Sequence, residues 1–168
     1  GVGGTFQMLS TVDYSGSGAL DFVGFEALAT ASPQPGVTAR VYVQLHNRGP
    51  HPASNVRVRA YVAALSGGTL PALPDAIVSG FPDTNPAAGA AWQPLGATST
   101  TTTLLPASPI VVSWDWPVPS SATGDFAVIA IAAAAEDPLT GMVPDAALAS
   151  RQNTHVALRR FPVGQPPA

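Results

Sequence analysis

The chain contains no cysteine and no lysine in its 168 residues, and only 10% of them are charged, against about a quarter in a typical soluble domain. Without cysteine there is no disulfide framework, no thiolate zinc site and no thiol nucleophile. Without lysine there is no Schiff-base chemistry and no lysine-assisted phosphoryl transfer. All seven cations are arginine and the formal net charge is −3. With an isoelectric point of about 5.4, no basic face exists to attract nucleic acid or anionic lipid. Long apolar runs are missing too. The longest, residues 126–135, stops at Glu136-Asp137, well short of the 20 or so residues that a membrane-spanning helix needs. The opening residues show no basic-then-apolar leader, which leaves either an intracellular chain or a piece of a longer precursor.

What is plentiful is turn chemistry, with 18 prolines and 16 glycines spread along the whole length. At 17.0 kDa the chain is long enough to bury roughly 69% of its extended surface, so a single domain needs no staples. No window of a dozen residues keeps an apolar period of 3.6 between breakers, and the pattern predicts no clear helix. Strand patterning is better. Residues 38–47 alternate Val41, Val43 and Leu45 against Tyr42, Gln44 and His46. Residues 56–62 alternate Val56, Val58, Ala60 and Val62 against Arg57, Arg59 and Tyr61. The turn-rich stretch between them predicts either a hairpin or a crossing between sheets, with one face buried.

Further strands are expected at 109–116, where Ile110, Val112, Trp114 and Trp116 share a face and Pro117 ends the ladder. Another is expected at 124–135, whose two apolar faces suit a central position, and a last one at 154–161. Weaker strands are read at 5–12 and 20–29, and short ones at 75–81 and 90–95. Seven to nine strands without a helix predict an all-β fold, an antiparallel immunoglobulin-like sandwich. The expected core is Val41, Val43, Leu45, Val56, Val58, Val112, Trp114, Phe126 and Val128. Residues 66–108, rich in Pro, Gly, Ser, Thr and Ala, read as a long loop insertion. Residues 1–34 read as an N-terminal extension or edge strands, and 162–168 as a disordered tail.

Several segments in order resemble a known family. The run from Pro35 to Tyr61 has a Pro-Gly turn, an alternating strand, Asn47-x-Gly49, then Asn55-Val56 opening another alternating strand. Trp116-Pro117, the acidic turn Glu136-Asp137-Pro138, and residues 151–157 follow in sequence. Together these resemble CARDB-like, immunoglobulin-like modules of bacterial extracellular proteins, over residues 35–161. The resemblance implies a non-catalytic module of a larger secreted or cell-surface protein. The residues themselves give Asn47-x-Gly49 a left-handed turn and Asn55 a capping role at the crossing.

Candidate sites were sought against that background. No Gly-x-Ser-x-Gly nucleophile elbow occurs, the nearest run being Gly16-Ser17-Gly18-Ala19, and no dinucleotide or phosphate glycine loop is present. An enzyme is not expected. His46, His51 and His155 have no zinc-ligand spacing. Asp75, Asp83, Glu136 and Asp137, with Asp145, fall in expected loops, and oxygen-rich loops are what Ca2+ takes. Loop carboxylates more often cap a backbone amide. Tyr42, Tyr61 and Trp92 are the candidates for an aromatic, sugar-binding platform, flanked by an arginine strip with Arg57 and Arg59; Tyr42 and Tyr61 would form a cross-strand pair if their strands were neighbours. The expected function is an adhesion, spacer or interaction module whose partners are neighbouring domains, a surface protein or a glycan. The alternatives are a carbohydrate-binding accessory module and a self-associating subunit of a filament, coat or particle.

Overall fold

The computed structural model describes residues 6–13, 32–47, 49–96, 99–106, 109–134, 137–153 and 155–164. The expected strand at 20–29, with Arg48, Glu136 and the last four residues, lies outside them. Among the described residues, eight strands run in the order β1 (Phe6–Asp13), β2 (Thr38–Asn47), β3 (Ala53–Ala64), β4 (Gln93–Pro94), β5 (Ser99–Leu104), β6 (Ile110–Pro117), β7 (Gly124–Ala133) and β8 (Val156–Val163). A helical turn, α1 (Asp75–Val78), precedes β4, and a short helix, α2 (Ala146–Gln152), precedes β8.

The strands form two antiparallel sheets. One is three-stranded with order β1-β2-β6; the other is five-stranded, β4-β3-β7-β8, with β5 sharing the β4 edge of β3. Chain segments β2 and β3 therefore belong to opposite sheets, and the turn between them is a crossing, not a hairpin. The architecture is an immunoglobulin-like sandwich.

Alternation places the core as the sequence reading expects. Val41, Val43 and Leu45 of β2 and Val56, Val58 and Ala60 of β3 point between the sheets, all at 0–1% exposure. Trp114 and Trp116 join them from β6, while Val112 is only partly buried. Across the sandwich, the Trp116 ring meets Phe126 and Phe161, each at 5.5 Å between centroids, tilted against the first and edge-on to the second. Such contacts add about 0.5–1.5 kcal/mol each beyond the area they bury.

Strand β7 is apolar on both faces because both faces are covered. Phe126, Val128, Ala130 and Ala132 face the inter-sheet core, whereas Ala127, Ile129 and Ile131 face a second cluster with Tyr61, Leu73, Ile77, Trp92, Ala146 and Ala149. The second cluster forms because the 65–92 connection and α2 lie over the outer face of the five-stranded sheet. Asp145 caps α2, its Oδ1 accepting from Leu148 N at 2.9 Å; a capping residue of this kind contributes about 1 kcal/mol.

Four local expectations are corrected. Residues 75–78 form a helical turn, with Asp75 just after Pro74, since proline supplies an extended residue before a turn and Asp suits a helix start. The 90–95 strand shrinks to Gln93–Pro94, because Pro94 has no amide to extend a ladder. The Ser/Thr run inside the supposed loop is strand β5, paired to β3; threonine is β-branched and favours extended backbone. The sequence Asp145-Ala146-Ala147-Leu148-Ala149 makes a helix where none was expected.

Two asparagines shape the crossing. Asn47 Oδ1 accepts from Gly49 N at 2.9 Å, and its Nδ2 donates to the carbonyls of His51 and Leu104, both at 2.8 Å. Asn55, just past the crossing, is left-handed, with φ of 51°. Asparagine tolerates that region better than most residues with a side chain.

Candidate functional site

Tyr61, Trp92, Arg57 and Arg59 are brought to one place, the outer face of the five-stranded sheet. The strand period of two puts Arg57, Arg59 and Tyr61 on that face of β3, and the 65–92 connection carries Trp92 over it. The result is an interior. Tyr61 and Trp92 are at 0% exposure and Arg59 at 5%. The Trp92 indole donates to the Pro71 carbonyl at 3.0 Å, which fastens the connection to itself. Arg59 stacks over the Tyr61 ring at 5.3 Å and donates from Nη1 to the Pro82 carbonyl at 3.2 Å. Among the described residues its Nε and the Tyr61 hydroxyl have no hydrogen-bond partner. Burial raises the Tyr61 phenol above its ordinary value, and the Arg59 charge pulls the other way. Nearer the surface, Arg57 Nη1 meets Asp83 Oδ1 at 2.9 Å.

This geometry corrects the platform expectation. A ring stacks on a sugar only through a free face, and Tyr61 and Trp92 have none. Tyr42, on the outer face of β2, is also at 0% exposure. It sits in the other sheet from Tyr61, so the two are not a cross-strand pair. Parity alone placed Tyr42 and Tyr61 on polar faces; it carries no information about a connection that later folds over such a face.

The carboxylates and histidines serve local architecture. Asp75 opens α1, Asp83 pairs with Arg57, and Asp145 caps α2. Asp137 Oδ2 lies 2.9 Å from His155 Nε2. The other ring nitrogen of His155 is 2.9 Å from Asn153 Oδ1, which also accepts from the His155 amide. His46 Nε2 lies 2.6 Å from Gln44 Oε1. Among the described residues no three metal-ligating side chains gather, and Glu136 lies outside them.

The feature that the sequence reading missed is a cleft at one corner of the sandwich. Strand β4 has only two residues, so the edges of the two sheets part beside it. A cleft of about 910 Å³ opens there, floored by the core residues Val62, Trp116 and Phe126 and rimmed by Pro94, Pro117 and Pro119. Asp115 is the only charged side chain among the described lining residues. Its Oδ1 accepts from Arg40 Nε at 3.0 Å, and its side chain is 60% exposed. That hydrogen bond raises the Arg40 guanidinium further above its ordinary value. The signal in the sequence was Pro94 in an otherwise strand-like run, since a proline shortens an edge strand and leaves the sandwich open beside it.

No protein-family model matches the chain, and no curated protein matches it in sequence. Solved structures do resemble it. The CARDB domain of a Pyrococcus furiosus protein, solved in complex with di-metal ions, is 14% identical; the match covers 96% of this chain and 89% of that one, with a TM-score of 0.50. A crustacean hemolymph-type prophenoloxidase is 9% identical over 96% of this chain and 34% of its own length, with a TM-score of 0.56. At these identities the likeness is one of fold alone, a β-sandwich.

Proposed function

We propose that the chain is a non-catalytic interaction module of a larger secreted or cell-surface protein. The observation that carries this reading is how the fold uses its polar side chains. Among the candidates, Asp145 caps a helix, Arg57 and Asp83 pair, and Arg59 and Trp92 fasten the 65–92 connection. The corner cleft is lined mostly by proline, alanine and aromatic residues. General acid–base or nucleophilic catalysis needs a reactive group with a base in reach, and a wall of this kind favours contact over chemistry. Low charge and frequent proline suit a stiff module that meets neighbours through its loops and edges. Fold alone does not fix such a role, and the CARDB likeness supports it only as an analogy.

The test is sedimentation of the purified chain with a panel of insoluble polysaccharides and cell-wall preparations, with oligomeric state followed in parallel. The proposal expects a monomer that stays in the supernatant with every pure polysaccharide. Saturable pelleting with one glycan would move the reading to carbohydrate recognition. Association at micromolar concentration would move it to a structural subunit.

A further inference from the structure

We propose that the open edge of β6 is a docking site for an extended segment of another protein, which adds to the three-stranded sheet as a further hydrogen-bonded strand. The proposal rests on the module reading and deepens it by naming the kind of partner. Among the described residues, β6 pairs only with β2. Pro117 has no amide and stands opposite Thr38, as a proline does where the N–H side of a strand faces away from its neighbour. One step on, Val118 N donates to the Val37 carbonyl at 3.4 Å. Bonded and non-bonded pairs alternate along an antiparallel ladder. Ile110, Val112, Trp114 and Trp116 therefore bond to β2, and Val111, Ser113 and Asp115 turn their N–H and C=O groups outward.

Such an edge recognises extended backbone, since only a strand offers donors and acceptors at the matching rise of about 3.4 Å per residue. Sheets guard their edges with charge or proline. Strand β8 carries Arg159, Arg160 and Pro162, and β4 ends on Pro94; from Ile110 to Trp114, β6 has neither. The side chains beside the edge set the partner's pattern. Ile110 and Val112 face the core yet are only partly buried, while Ser113 and Asp115 are exposed on the other face. The corner cleft of about 910 Å³ opens beside the far half of the strand, lined there by Trp116 and Gly96. An added strand has room to lay every second side chain over Ile110, Val112 and the cleft, with the others in solvent. The occupant is thus a segment alternating apolar and polar residues. A second copy of β6 does not meet this need, because its inward Trp116 is already packed against Phe126 and Phe161 of its own core.

The probes are two capped peptides as long as β6 with an arginine at each end. One alternates valine and threonine; the other has the same composition with its valines grouped. Hydrogen exchange, followed by NMR on the intact chain, should find the Val111, Ser113 and Asp115 amides fast and those of Val112 and Trp114 slow. Saturation with the alternating peptide should slow the three outward amides about tenfold or more, and the grouped peptide should bind about tenfold more weakly. Ser113→Pro removes an outward donor without touching the β2 ladder and should abolish binding; Val111→Pro does the same should the first variant misfold. The proposal is overturned by outward amides already protected in the free chain, or by an absence of saturable binding of the alternating peptide. It is equally overturned by affinities that ignore the alternation, or by binding that survives both proline variants. Self-association that Ser113→Pro removes would overturn it in favour of a second copy as the occupant. A failed peptide titration strikes this site alone, because the module reading stands on the pelleting test.

Discussion

Asn47 and Leu104, 57 residues apart in sequence, share a buried hydrogen bond of 2.8 Å from the asparagine amide to the leucine carbonyl. With its bonds to Gly49 and His51, Asn47 ties the sheet crossing to the end of β5. Asn47→Ala would remove three hydrogen bonds and leave the Leu104 carbonyl buried without this donor. The expected cost is about 2–3 kcal/mol, measured by urea denaturation. Asn47→Asp should cost at least as much, because it sets a carboxylate oxygen against two carbonyls.

Val58→Asp is expected to unfold the chain. Val58 faces the inter-sheet core at 1% exposure, and an unpaired carboxylate there costs more than about 4 kcal/mol. Circular dichroism should show loss of the cooperative melt. A variant that melts like the parent would invert the parity of β3.

The Tyr61 hydroxyl is buried without a partner, so Tyr61→Phe should be neutral or stabilising by about 1 kcal/mol. The same residue sets an alkaline limit. Its phenol is raised above the ordinary value of 10.0 by burial. As pH climbs past that value the unfolded chain sheds a proton that the folded chain keeps, and stability falls. Tyr61→Phe should flatten that fall in melts taken between neutral pH and pH 11.

Two fastenings of the 65–92 connection should differ sharply. The Arg57–Asp83 pair is largely exposed, and Asp83→Asn should cost under about 1 kcal/mol. Trp92 is fully buried and fills the space over Tyr61 and Ile129; Trp92→Ala should cost about 3–5 kcal/mol. Thermal melts of the two variants separate packing from surface charge.

The main strands were legible because each is read from its own residues: Val41, Val43 and Leu45 alternate, and β7 announces its central place by apolar residues on both faces. The cover over Tyr61 was not. It depends on where the 65–92 connection lies, which its Pro- and Ala-rich composition does not encode locally. Helix α2 was legible in principle, from Asp145 as a cap before Ala146-Ala147-Leu148-Ala149, but its two turns or so offer too short a period to stand out. Asn55 shows the same limit, since asparagine suits both a cap and a left-handed turn, and it takes the left-handed backbone. Only the path of β3 decides which of the two it takes.

The central claim is that the aromatic residues which look like a binding platform are interior. Iodide quenching of tryptophan fluorescence tests it directly on the intact chain. Trp92, Trp114 and Trp116 are 0%, 7% and 4% exposed, so emission should be blue-shifted and quenching far weaker than in urea. A red-shifted component quenched as readily as free tryptophan would contradict the account and return an exposed ring to the surface.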